Sequence, residues 1–154
     1  MAIEIAIETP LQDDVRAMVA ALNDYLIPLT PREFQFQLTV EQMAEPSVTL
    51  FVARDAGQAV GMGALKDHGH GLGEVKRMFT LPQVRGQRVG IHLLQQIEGL
   101  ARDKGITRLV LETGEAPGFE PAWRVYERGG FEPCGAVLDY PDSGFSRFYD
   151  KKLM

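Results

Sequence analysis

The chain has 154 residues, is 45% apolar and 24% charged, and carries sixteen Lys and Arg against twenty-one Asp and Glu, for a net charge of −5. That length predicts one domain over residues 1–154 with a core large enough to need no metal or disulfide. The acidic balance argues against nucleic acid as a general partner, and the lone Cys134, with no second cysteine to pair with, suits a reducing cytoplasm. No apolar run approaches the roughly 20 residues of a membrane span, and the acidic, alternating MAIEIAIETP does not read as a signal peptide.

Ile3, Ile5 and Ile7 alternate with Glu4 and Glu8, which predicts a first strand ended by Thr9 and Pro10. Val15, Met18, Val19, Leu22, Tyr25 and Leu26 recur at helical spacing over 11–26, until Pro28 and Pro31 intervene. Thr39 followed by Gln42 is a capping-box pattern for a short helix over 39–45. Residues 48–54 and 58–66 read as a hairpin about Asp55, Ala56 and Gly57, and a second turn falls at His68–Gly71 before a strand over 73–80. Val89, Leu93, Leu94, Ile97, Leu100 and Ala101 form one stripe of a helix over 87–104, with Gly105 placed as its C-terminal glycine. A strand over 107–113, a helix over 121–129 opening at Pro121, and closing strands over 131–134 and 145–152 complete the order. This order predicts an α/β or α+β fold with a mixed sheet, not a strict βα alternation.

Charge is unevenly spread. Residues 1–50 hold eight acids and two bases, whereas residues 71–104 hold six bases and three acids. Simple solubility accounts for the first, and a solvated helix face accounts for the second unless a polyanion is bound there. The stretch VKRMFTLPQVRGQRVGIHLL over 75–94 sharpens the question, because it runs strand, glycine-containing loop, helix. Free N–H groups at a helix start bind anions. Gly86 permits close backbone approach, Gly90 lets the first turn lie against a bulky group, and Arg85 and Arg88 supply charge-assisted donors for phosphate. A diphosphate at this turn is physically reasonable. Neither G-x-x-x-x-G-K-[ST] nor G-x-G-x-x-G occurs in the chain.

The turn resembles motif A of the GNAT superfamily of N-acetyltransferases, with the family's arginine at Arg85 and its second small residue at Gly90. Arg88 stands where the family has its first glycine. The later AWRVYERGGF over 122–131 resembles the family's motif B, A-x-x-x-Y-x-x-x-G-F, with Phe119 in place of the usual upstream asparagine. Together the two motifs and the element order cover about residues 48–133. The resemblance implies the GNAT fold, a mixed sheet of six to seven strands flanked by about four helices. It implies acetyl-CoA as cosubstrate, held by Met78, Phe79 and Thr80 through the backbone and by Arg85, Gly86, Gln87, Arg88, Val89 and Gly90 around the pyrophosphate. It also implies that the strands over 73–80 and 107–113 splay at a bulge to admit the pantetheine arm, and that Tyr126 protonates the departing thiolate. Glu74 is the candidate base, four residues before Met78 and on the same face if alternation holds; the competing reading pairs it with Lys76 or Arg77.

The resemblance places the acceptor pocket among Tyr25, Arg32, Phe34, Phe36 and Tyr140, for a small-molecule or protein amine, and leaves a homodimer open. No metal is expected: His68 and His70 lack a third ligand and read as turn residues. His92 reads as a helix-surface residue and Cys134 as a structural thiol; Glu112 is an alternative base, although a strand-end carboxylate is more often structural. The alternative function is a CoA-binding sensor of GNAT fold without turnover, which the departures at Arg88 and Phe119 keep open.

Overall fold

The computed structural model describes residues 3–31, 33, 38–85 and 87–153. Seven strands appear in chain order: β1 (Ile3–Ile7), β2 (Val48–Asp55), β3 (Gln58–Gly69), β4 (Leu72–Thr80), β5 (Arg108–Gly114), β6 (Glu132–Cys134) and β7 (Ser146–Lys152). Four α-helices accompany them: α1 (Asp13–Leu26), α2 (Val40–Met43), α3 (Val89–Asp103) and α4 (Glu120–Arg128). The strands form one sheet in the order β1-β2-β3-β4-β5-β7-β6. Every neighbouring pair is antiparallel except β4 and β5, which run parallel. The mixed sheet is therefore as expected from the element order.

Strand alternation sorts the core into two layers. On β2, Leu50 and Val52 face α1 and α2, joining Val15, Met18, Leu22 and Met43. Phe51 and Ala53 point the other way, into the cluster built on Leu93, Leu94, Ile97 and Ala101 of α3. Both faces of the central strands are covered, which is why 48–53 is almost continuously apolar. Burying each Leu or Ile of the α3 stripe contributes about 1.5–3 kcal/mol.

The local signals hold at the helix ends. Thr39 and Gln42 form both halves of the capping box of α2. Gly105 takes a φ of 76° after α3, where a side chain would be strained. Asp13 and Asp14 open α1, where carboxylates favour the helix dipole. One expectation fails locally. The turn before β4 is tighter than read from the glycines, and His68 belongs to β3. The left-handed Gly69, His70 and Gly71 make the reversal.

Candidate active site

The parallel seam between β4 and β5 is paired over only three positions, Leu72 with Arg108, Gly73 with Leu109 and Glu74 with Val110. Beyond Glu74 the strands part. β5 runs on to Gly114 against β7, while β4 runs on to Thr80 against β3. A bulge makes the divergence. Ala64 of β3 pairs with Lys76 and Met62 with Phe79, so Arg77 and Met78 together oppose Gly63. Arg77 takes a left-handed φ of 56° to accommodate the extra residue. Between the parted strands lies a cavity of about 710 Å³, walled by β4 from Val75 to Thr80, by Glu112 to Gly114 of β5, and by residues of α1, α3 and α4.

At one end of this cavity stands the N-terminus of α3. It has no side-chain cap and no acidic residue in its first turn, so its first N–H groups remain available to an anion. Arg85, Arg88, Val89 and Gly90 all line the cavity. Arg88 holds the left-handed conformation (φ 64°, ψ 22°) that a glycine adopts without strain. Where the motif it resembles has a glycine, Arg88 thus takes a backbone that favours glycine and adds a guanidinium. Gly90 serves helix packing: a Cβ there would lie 3.2 Å from Val125 of α4. This turn fits a diphosphate by the chemistry of its donors.

Farther in, the cavity is lined by Glu112, Tyr126 and Phe119. Burial pushes the Glu112 carboxyl above the ordinary range, although Ser146 donates to it at 2.6 Å and Lys76 opposes the shift. Tyr126, 7% exposed, packs against Phe131 and Tyr149, with ring centroids 6.2 and 6.0 Å away. Burial first, then the negative charge of Glu112, raises its phenol well above the usual tyrosine range. Phe119 lies against Gly114, where any Cβ would collide with its ring. The indole N–H of Trp123 donates to the Gly114 carbonyl at 2.9 Å, fixing α4 to the end of β5.

Glu74 is placed differently. It is only 2% exposed and is not among the residues lining the cavity. His68 meets its Oε1 at 2.8 Å, Lys76 Nζ lies 3.3 Å from its Oε2, and the Tyr140 hydroxyl donates to the same oxygen. Lys76 also donates to Tyr140 at 2.6 Å and itself lines the cavity. The bulge breaks the alternation on which the expected geometry rested. Met78 packs toward Ile97 on the α3 side, whereas Glu74 and Lys76 face Tyr140 on the other.

Of the residues expected to hold the cosubstrate, Met78, Phe79, Thr80, Arg85, Arg88, Val89 and Gly90 come together around one cavity. Gln87 is exposed, with its amide turned to the Gln83 carbonyl, and Gly86 lies outside the described residues. Of the expected acceptor residues, Tyr25 lines the cavity and donates to the Gly118 carbonyl. Tyr140 sits with Glu74, away from the lining, and Arg32, Phe34 and Phe36 lie outside the described residues. Sequence reasoning weighed Glu112 as an alternative base but favoured a structural role, and did not single out Ser146 or the side chain of Arg77. The resemblance implied the splay, but where the bulge falls and how short the parallel pairing is, which bring Arg77 and Glu112 into the cavity lining, are not marked in the sequence. Among the described residues, no group of three or more His, Cys, Asp or Glu is arranged for a metal, and no helix is long and apolar enough to cross a membrane.

With this geometry in view, comparison with known proteins is informative. The model of the acetyltransferase (GNAT) family matches residues 15–131. An IAA acetyltransferase of Azospirillum brasilense is 40% identical over 152 residues, covering 98% of each chain. The crystal structure of a Klebsiella pneumoniae protein taken to be an acyl-CoA N-acyltransferase superposes with a TM-score of 0.83 at 31% identity, over 99% of this chain and 98% of that one. In fold alone, at 16% identity and a TM-score of 0.72, the chain matches the PaiA N-acetyltransferase of Thermoplasma acidophilum in complex with coenzyme A, over 99% of both chains.

Proposed function

The chain belongs to the acetyltransferase (GNAT) family, and from that premise we propose how it works as an N-acetyltransferase: acetyl passes from acetyl-CoA to a primary amine by direct attack, with both held in the seam between β4 and β5. The observation that carries the proposal is the early end of the parallel pairing at Glu74, which opens a cavity running to the uncapped start of α3. Coverage of nearly the whole chain by its relatives supports its acting as one domain.

Acetyl-CoA, when bound, supplies an activated acyl carbon. Arg85, Arg88 and the first N–H groups of α3 are the donors for its diphosphate. The β4 edge from Val75 to Thr80 has no strand partner on the β5 side, so its backbone groups are available to an extended arm, as in strand addition. An ammonium has no lone pair, so the acceptor must give up a proton before it attacks. Glu112 takes that proton in this reading: it lines the cavity, and its raised pKa brings it closer to the working pH of a general base. Tyr126, kept protonated by burial, holds the proton that the leaving sulfur requires. Glu74 acts at one remove, fixing Lys76 and Tyr140 beside Glu112.

The sensor alternative rests on Arg88 and Phe119. Arg88 keeps the glycine-like backbone, and Glu112 and Tyr126 face the same cavity, which supports turnover. A thermal-shift titration tests the proposal. Acetyl-CoA at a hundredfold excess over Kd stabilises a native-state binder by about 2.7 kcal/mol, with ATP and NAD as controls. A selective rise, lost when Arg85 and Arg88 are both changed to Ala, is the expected result. Equal shifts with all three nucleotides, or none with acetyl-CoA, would overturn it.

A further inference from the structure

Three charged side chains are buried among the described residues: Glu74, Arg77 and Glu98. Both glutamates are compensated. Glu74 has His68 and Lys76, and Glu98 has Lys151 at 2.8 Å and Arg102 at 3.5 Å. Arg77 is not. It is 8% exposed, its one described partner is the neutral Asn23 side-chain oxygen, and its Nε has no hydrogen-bond partner. Every acidic side chain of the protein lies among the described residues, and none forms an ion pair with Arg77. Burial alone accounts for the fall of its pKa to about 10.

A buried cation without a counter-charge is costly, and proteins keep one only where something offsets it. Arg77, at the left-handed bulge, lines the cavity, as do Leu22, Leu26 and Phe79. Glu112, the one acidic residue in that wall, is engaged by Ser146. The site thus offers a fork-shaped cation among apolar side chains, within the same cavity as the proposed base.

We propose that Arg77 binds the carboxylate of the acceptor, so that the amine acetylated is a free amino acid with an apolar side chain. The inference rests on the transfer reading given above and narrows it. A guanidinium pairs with a carboxylate through two parallel hydrogen bonds, which fixes the orientation of a small molecule as well as binding it. A polyamine or an aminoglycoside would bring further positive charge against Arg77 and is disfavoured by the same feature.

The test uses the full chain with saturating acetyl-CoA and paired acceptors: free amino acids with apolar side chains, their carboxamides, and the matching amines that lack the carboxyl. Thiol release is measured together with thermal protection by each acceptor in the presence of CoA. The expected result is a kcat/KM about 100-fold higher for the acid than for its amide, the size expected for losing one partner of a buried charge pair. Arg77→Met should abolish that preference through the acceptor KM and leave the acetyl-CoA KM unchanged, while Arg77→Lys recovers part of it. The acid–amide comparison on the unaltered protein stands even if Arg77→Met fails to fold. Equal turnover of acid and amide overturns the inference and leaves the transfer reading intact. Neither turnover of nor protection by any acid also overturns it, and protection by acetyl-CoA alone then shows whether the transfer reading survives.

Discussion

The two halves of the β4–β5 seam are built on opposite principles. In the paired half, Glu74 is buried with His68, Lys76 and Tyr140 gathered on its two oxygens. In the parted half, a few residues on, Arg77 is buried with no opposite charge, and the half-buried Glu112 has its carboxyl pushed upward. The paired half satisfies its charges with the protein's own groups; in the parted half Arg77 has no counter-charge among them. Cost tolerated without internal compensation marks a site of work more reliably than a charged residue alone does.

Substitutions should separate the halves. The largest effect is expected at Glu112. Glu112→Gln should lower kcat/KM about 1,000-fold, within the usual range for general acid–base catalysis, with the acetyl-CoA KM nearly unchanged, as steady-state thiol release would show. Its stability should move the other way. A carboxyl whose folded pKa is raised contributes stability below its unfolded pKa and loses it as pH rises through the folded value. At pH 7 Glu112→Gln should therefore melt no lower than the unaltered protein, and any advantage should vanish near pH 4.

Glu74→Ala should do the reverse. It strips the buried carboxylate from the half-buried Lys76 and Tyr140 and should cost roughly 3 kcal/mol of stability, by urea unfolding. Its activity per folded molecule should fall less than that of Glu112→Gln. Tyr126→Phe should slow turnover about 100-fold and leave acetyl-CoA binding intact; unchanged turnover would remove Tyr126 from the chemistry. The smallest change is at the turn before α3, the proposed diphosphate site. Arg88→Gly relieves a left-handed non-glycine and should raise stability by about 1 kcal/mol, while weakening acetyl-CoA in a titration.

The fold was legible in the sequence to a large extent because its elements carry their own local signals. Thr39 with Gln42, Gly105 after its helix, and the stripe from Val89 to Ala101 each declare themselves within a few residues. The strand, turn and helix start over 80–90 were legible for the same reason. The inner site was not. Glu74 meets Tyr140 across 66 residues of chain, and Ser146 meets Glu112 across 34. The resemblance implied a bulge in these strands, but its place at Arg77 falls in a strand whose residues alternate acceptably on paper. Simple alternation set Glu74 and Met78 on one face; the extra residue puts them on opposite faces.

The most direct test is the pH dependence of kcat/KM, by thiol release, for the unaltered protein, Glu112→Gln and Glu74→Gln. The account predicts an acidic limb above the ordinary carboxyl range that survives Glu74→Gln and disappears, with most of the rate, in Glu112→Gln. Loss of that limb in Glu74→Gln, with Glu112→Gln turning over at the unaltered rate, would contradict it and return the base to the paired half of the seam.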